Sequence, residues 1–324
     1  MNFYRTLEKK AKKKNKTIIF PESSDNRIID AVKNILHRKL AKVILIGTDQ
    51  NSDPSIKSDK NLTIIDLKFS SQFLKSYHIN KSLTKSGYDL LRSVSEIKDP
   101  LTFACLLLKN NFADGVIAGS VYSTTEVIRN AISIIGLSKN NKTVSSFFIF
   151  TFPKKNIHNK KIIAYADCGV IPSPNSSQLS DIAIQTANNF SKLTGIKPRL
   201  AFLSFSTKGS AKDASIDKIL GAYEMTKKKS PSLVCDAELQ FDSAFVEDVA
   251  LRKNPNGKIK GDANVFIFPD LNSGNIAYKI TERIGGAFAT GPIVQGLSKP
   301  VMDLSRGCTA EDIVNMTRVI ANLS

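Results

Sequence analysis

A serine, an arginine and an aspartate stand close together near the C-terminal end of the sequence, in the segment DLSRGCTAEDI. Ser305 and Arg306 lie on a glycine-containing bend, and Asp312 opens a helix that begins near Thr309. A hydroxyl, a fixed positive charge and a carboxylate at one helix mouth suit acyl or phosphoryl transfer. Some forty residues upstream, a buried-strand pattern over Val265–Phe268 ends at Pro269, and Asn272-Ser273-Gly274-Asn275 opens an amphipathic helix. The unpaired N–H groups of such a helix start point outward and favour a phosphate. A third strand–turn–helix junction follows Gly115–Ala118, where Gly119 and the hydroxyl-rich turn Ser120–Thr125 lead into a helix over Glu126–Ile135 with Arg129 in its first turns.

Each of these residues also has a structural reading. Thr309-Ala310-Glu311-Asp312 matches a capping box, in which Asp312 returns a bond to the backbone of Thr309. Ser305 fits a turn, Arg129 is spaced to pair with Glu126, and Asn272–Asn275 could simply cap their helix. Asp167 and Asp181 read as a loop residue and a helix N-terminal acid, and Cys168 and Cys308 as packing residues.

The elements that must position these groups alternate between short apolar strands and helical periodicity, which predicts an α/β chain with a largely parallel sheet. Thr17–Phe20, Ala41–Ile46 and Leu62–Leu67 read as strands, Asn26–Lys39 and Pro100–Asn110 as helices, and Ser52–Asn61 as a polar loop. The pattern changes after the linker Gly136–Lys142. Ser146–Phe152 and Lys161–Tyr165 then form strands around a turn, followed by a helix over Ser177–Leu193, a strand over Arg199–Phe205 and a helix over Asp213–Lys228. This predicts one α/β domain from residues 1–140 plus 294–324 and a second from 141–293.

The chain has 324 residues, 42% of them hydrophobic, which is enough for two cores. Its four cysteines are far apart with no C-x-x-C pair, as expected of reduced thiols in a cytoplasmic protein. The basic start MNFYRTLEKKAKKKNK lacks the apolar run of a signal peptide, and no apolar stretch approaches a membrane span. The net charge of +17 comes from scattered lysines without tryptophan or aromatic interleaving, so the run Lys9–Lys16 reads as a solvated helix face rather than a nucleic-acid arm. Such a field favours a small polyanionic substrate. There is no P-loop and no G-x-G-x-x-G after a strand, and the histidines His37, His78 and His158 are far apart. Neither a histidine base nor a metal site is expected.

The stretches FADGVIAGSVYSTTEVIRNAISIIG, YADCGVIPSPNSSQLSDIAIQTA, RLAFLSFSTKGSA, CDAELQFDSA, ANVFIFPDLNSGNIAYKI and GPIVQGLSKPVMDLSRGCTAEDI, with the opening IIFPESSDNRIIDAV, resemble the phosphate acetyltransferase (phosphotransacetylase) family. The likeness runs in order from about Thr17 to the C-terminus, in the short form without the extra N-terminal domains of long members. It implies a homodimer of two α/β domains with a cleft between them, on the fold of isocitrate and isopropylmalate dehydrogenases. It also implies reversible acetyl transfer between acetyl-CoA and phosphate, with coenzyme A as substrate and no cofactor. By motif, Ser305, Arg306 and Asp312 match the catalytic segment and Arg129 the phosphate-binding arginine. Ser123, Thr124, Thr125, Asn272, Ser273, Gly274, Asn275 and Lys279 become substrate-binding candidates. Where the family usually has a further arginine this chain reads SYHINKSLT, leaving His78 and Lys81 as the nearby bases.

In the implied reaction Asp312 takes the thiol proton of CoA and the thiolate attacks the carbonyl of acetyl phosphate. Complete transfer from a free thiol to a free carboxylate would be uphill by about 6 kcal/mol. Burial of the acid, or stabilisation of the thiolate by cations and N–H groups, must narrow that gap. Phosphate leaves readily, so no strong general acid is required. A phosphate butyryltransferase is the nearest alternative. A metal- and NAD-dependent decarboxylating dehydrogenase shares the implied fold but lacks acidic metal ligands here, and a nucleic-acid-binding protein is the non-enzymatic option raised by the charge.

Overall fold

A computed structural model describes residues 3–47, 54–69, 98–139, 141–153 and 162–324. His78, Lys81, His158 and the turn after Pro153 lie outside the described residues. The chain divides into two compact units, Met1–Ser138 with Leu297–Ser324, and Lys139–Gly296.

In the first unit, helix α1 (Phe3–Lys14) precedes strand β1 (Thr17–Phe20), α2 (Asn26–His37), β2 (Lys42–Ile46), α3 (Pro54–Lys57) and β3 (Leu62–Ile65). After them come α4 (Pro100–Lys109), β4 (Gly115–Ala118) and α5 (Thr124–Asn130), which continues as a single π-helical turn, Ala131–Ile135. The expected helix Glu126–Ile135 therefore starts earlier and widens midway. The lysine-rich start folds as α1, with Phe3, Leu7 and Ala11 buried at helical spacing and Lys9, Lys10, Lys12 and Lys13 outside.

The second unit contains β5 (Ser145–Thr151), β6 (Ile162–Ala166), α6 (Ser176–Thr194), β7 (Arg199–Leu203), α7 (Ala214–Lys229) and β8 (Val234–Leu239). Its remaining elements are α8 (Phe241–Phe245), α9 (Glu247–Lys253), β9 (Val265–Ile267), α10 (Leu271–Arg283) and β10 (Phe288–Gln295). The chain then returns to the first unit with β11 (Val301–Asp303) and α11 (Ala310–Leu323).

The first sheet has the order β11-β4-β1-β2-β3 and every pairing in it is parallel. Strand residues alternate between its faces: Ile19, Ile44, Ile46, Val116, Ala118 and Val301 join the core under α4 and α5. On the other face Ile18 and Ile320 of α11 close over Gly115, where an added Cβ would sit 2.5 Å from the Ile320 side chain. From β1 the chain adds strands on one side through β2 and β3, then crosses to place β4 on the other. Between β1 and β4 the loops leaving the strand ends diverge, the position where open α/β sheets receive ligands.

The second sheet has the order β10-β5-β6-β9-β7-β8. Its inner pairings β6–β9, β9–β7 and β7–β8 are parallel, whereas β5 runs antiparallel to both β10 and β6. The largely parallel expectation is met in full by the first sheet and in part by the second. Phe148, Phe150, Tyr165, Phe266 and Phe268 pack one face of this sheet.

Candidate active site

Three loops meet at the switch point of the first sheet. The first leaves β1 and carries Glu22 and Asp25, the second leaves β4 and carries Gly119–Ser123, and the third leaves β11 and carries Ser305–Thr309. Glu22 is 3% exposed, and its carboxylate accepts the N–H groups of Gly119, Ser120, Val121 and Tyr122 at 2.8–3.1 Å and the Ser120 hydroxyl at 2.8 Å. An internal carboxylate thus fills the N–H nest of the hydroxyl-rich turn. Ligand contact from this segment is left to the residues that follow.

Ser123 caps α5 through a capping box with Glu126, Thr124 and Thr125 are exposed at the helix start, and Arg129 is exposed further along. Arg129 makes no ion pair with Glu126 or with any other acid among the described residues; Glu126 instead accepts from the Ser123 N–H and hydroxyl. A guanidinium with no ion pair among the described residues is available to an anion.

The third loop is held down by Arg27, on the first turn of α2. Its Nη1 donates to the carbonyls of Arg306 at 2.6 Å and Cys308 at 3.0 Å, and its Nη2 donates to the Ser120 carbonyl at 3.0 Å and to Asp25 at 2.6 Å. One planar fork therefore ties all three loops together. The same hydrogen bonding, with Arg27 as its main cause, holds the Asp25 carboxyl below its ordinary value. With its backbone fixed in this way, Arg306 presents an exposed side chain, and Ser305 Oγ accepts from the Gly307 N–H at 3.2 Å.

Asp312 closes the capping box expected of it. Its Oδ2 accepts the N–H and the hydroxyl of Thr309, each at 2.8 Å, and its own N–H donates to Thr309 Oγ1 at 3.2 Å. One carboxylate oxygen is occupied by the cap and the other takes no hydrogen bond among the described residues, so the cap uses only one of the two oxygens. Cys308, by contrast, is buried, and burial pushes its thiol up to about 11 against the opposing pull of Arg27. Burial also raises the Cys168 thiol, which leaves both as packing residues.

Asp303, the last residue of β11, is the buried acid behind this loop. Its Oδ2 accepts the Thr124 hydroxyl at 2.7 Å, and its Oδ1 is buried with no hydrogen-bond partner among the described residues. Burial, reinforced by the neighbouring Glu22 charge and opposed by Thr124 and Arg306, pushes its carboxyl up to about 6. Glu22, Arg27 and Asp303 were not singled out from sequence. The available signal was positional: an acid just beyond one buried strand, an arginine in the next helix's first turn, and an acid ending another buried strand.

The remaining candidates belong to the second unit. Helix α10 begins at Leu271 rather than after Asn272–Asn275, because the side chain of Asp270 caps it, accepting the Ser273 N–H at 2.9 Å. Ser273 Oγ donates to the Asp270 carbonyl at 2.9 Å, and Asn275 Nδ2 donates to the Cys168 carbonyl at 3.1 Å. These groups bind α10 to its own cap and to the Asp167 loop. Gly274 permits that approach, since a Cβ there would lie 2.3 Å from the Asp167 carbonyl oxygen. Asn272 and Lys279 are exposed. Among the described residues no group of three His, Cys, Asp or Glu side chains could hold a metal ion, and no helix is long and apolar enough to cross a membrane.

Residues 2–321 match the family described as phosphate acetyl/butaryl transferase. The chain belongs to that family. It is 42% identical over 325 residues to the phosphate acetyltransferase of Acetivibrio thermocellus, covering 99% of this chain and 98% of the relative. Its structure is similar to that of a phosphotransacetylase from Streptococcus pyogenes, with a TM-score of 0.84, 34% identity, and 99% and 97% of the two chains covered. A 4-hydroxythreonine-4-phosphate dehydrogenase from Klebsiella pneumoniae shares the fold at a TM-score of 0.52 and 11% identity, over 94% and 98% of the chains. That likeness is one of fold alone.

Proposed function

We propose that this chain is a phosphate acetyltransferase, moving an acetyl group reversibly between coenzyme A and phosphate. In the direction of thioester synthesis, the unoccupied oxygen of Asp312 takes the thiol proton of CoA, and the thiolate sulfur attacks the carbonyl carbon of acetyl phosphate. The C–S bond forms, the C–O bond to phosphate breaks, and phosphate leaves with the electron pair. Ser305 and Arg306, whose loop Arg27 anchors, hold the reacting groups and meet the charge that develops as the carbonyl is attacked. Arg129 and the Thr125 hydroxyl serve phosphate at the start of α5, where the Ser123 and Thr124 hydroxyls are held by Glu126 and Asp303, and on α10 the exposed Asn272 and Lys279 are the substrate-binding candidates left open.

The observation that carries the mechanism is the divided use of Asp312, with one oxygen fixed by Thr309 and the other without a hydrogen bond among the described residues. Asp312→Asn preserves an acceptor for the cap while removing the base, so it should stay folded and lose roughly 100-fold or more in turnover. Thioester absorbance from acetyl phosphate and CoA measures this. Near-normal turnover in Asp312→Asn would remove the base assignment. The same assay with butyryl phosphate separates the acetyl reading from a phosphate butyryltransferase.

The exposed residues Ile276, Ile280 and Ile284 recur every fourth position along and just beyond α10, and exposed Phe288 follows. This apolar stripe supports a homodimer, with a second copy covering it. Mass measurement by light scattering on the wild type and on Ile280→Asp tests that assembly; a wild-type monomer would refute it. The four free, buried cysteines support a cytoplasmic setting.

A further inference from the structure

Among the buried carboxylates that stand beside loops, Glu22, Asp167 and Asp303 are satisfied very unequally. Glu22 receives five hydrogen bonds from the Gly119–Tyr122 loop. Asp167 likewise receives five, from the N–H and hydroxyl of Ser146 and the N–H groups of Gly169, Val170 and Ile171. Both have the saturation expected of structural acids that fix a loop. Among the described residues Asp303, only 3% exposed, receives one hydrogen bond, and its second oxygen has no partner. A buried acid so poorly compensated costs stability, and no packing need explains a carboxylate there.

Its position supplies a reason. Asp303 pairs with Ala118 across the sheet, and the Leu304 N–H donates to the Ala118 carbonyl at 2.7 Å, so the backbone at this point is rigid. From that anchor the carboxylate reaches Thr124, the first residue of the helix carrying Arg129, while the next residues along its own chain are Leu304, Ser305 and Arg306. Gly119 has φ +107°, and a Cβ there would lie 2.5 Å from Asp303 Oδ1, so the glycine clears the path of this contact. The charged groups facing Asp303 are Glu22 from the β1 loop, which opposes its ionisation, and Arg306 from the β11 loop, which favours it.

We infer that Asp303 is a positioning residue of the acyl-transfer site, fixing the start of α5, the helix that carries Arg129, through the Thr124 hydroxyl. This inference rests on the acetyltransferase reading. It gives the Thr124 hydroxyl a partner in the protein rather than in the substrate.

The experiment compares wild type, Asp303→Asn, Thr124→Val and Thr124→Ser, as purified full chains, for thioester synthesis from acetyl phosphate and CoA between pH 5 and 8. Thr124→Val should lower kcat/KM for acetyl phosphate by about 10- to 100-fold, since small displacements of positioned groups have effects of that size. Thr124→Ser, which keeps the hydroxyl, should stay within about 3-fold of wild type. The wild-type rate should fall as pH drops through about 6, where Asp303 takes up a proton, and in Asp303→Asn that fall should move to lower pH. Wild-type kinetics in Thr124→Val, or an unmoved acidic limb in Asp303→Asn, would overturn the inference while leaving the acetyltransferase reading in place. A wild-type chain that makes no thioester removes both. Circular dichroism checks folding, and if Asp303→Asn fails to fold, the Thr124 pair decides.

Discussion

The buried Asp303 should cost stability in a manner that only its ionisation explains. Burial, with the Glu22 charge beside it, moves its carboxyl from the ordinary 3.8 to about 6. A raised carboxyl means that the folded state binds its proton more tightly than the unfolded state. The associated stability is present below pH 3.8 and is lost as pH rises through about 6, a difference of about 3 kcal/mol once both states are ionised. Asp303→Asn keeps the shape and an acceptor for Thr124 while removing the titration. Its unpartnered amide adds a constant penalty of about 1–3 kcal/mol at every pH, so the stability at one pH is not diagnostic. The informative quantity is the difference between variant and wild type at two pH values. Relative to wild type, the variant should gain about 2–3 kcal/mol between pH 4 and pH 7.5. Urea unfolding followed by circular dichroism suits a chain without tryptophan, and an unchanged slope on denaturant makes the two proteins comparable. A variant–wild-type difference that is the same at both pH values would refute the reasoning, because the charge would then not be buried against a cost. Combined with slower turnover, the predicted gain would mark Asp303 as a site where function is held at the expense of stability.

Glu22→Gln places an amide donor among N–H groups that now share a carboxylate, and should lose about 2–3 kcal/mol in the same urea titration. Gly274→Ala forces a methyl against the Asp167 carbonyl and should destabilise by about 1–3 kcal/mol, read as a lower urea midpoint. The buried thiols of Cys105, Cys168, Cys235 and Cys308 should resist a thiol reagent at pH 7.5 in the folded protein and react together in denaturant, as mass spectrometry would show. Cys308→Ala should accordingly keep turnover within several-fold of wild type, which the thioester assay checks.

Much of the scaffold was legible because its signals are local. Thr17–Phe20 and Gly115–Ala118 are apolar runs bounded by polar or turn residues, and both are strands with those same limits. Thr309 and Asp312 have the spacing of a capping box and form one. The start of α10 was displaced by a nearby residue: Asp270 outcompetes Asn272 as cap because its carboxylate can accept the Ser273 N–H. Strands β8, β10 and β11 were not assigned from sequence; β11 has only three residues, too short to show alternation.

By itself the sequence determined the alternation of strands and helices, the residue types brought to DLSRGCTAED and STTEVIR, and their family resemblance, because composition and spacing along the chain suffice for each. Tertiary structure alone decided that β11 returns beside β4, that Arg27 ties three loops together, and that Glu22 fills the N–H nest of the Gly119–Tyr122 turn. It also decided that Asp303 and Thr124, 179 positions apart, share a hydrogen bond in a setting that leaves one carboxylate oxygen without a partner among the described residues. Burial and hydrogen-bond competition are properties of groups brought together by sheet pairing, and no spacing along the chain encodes them.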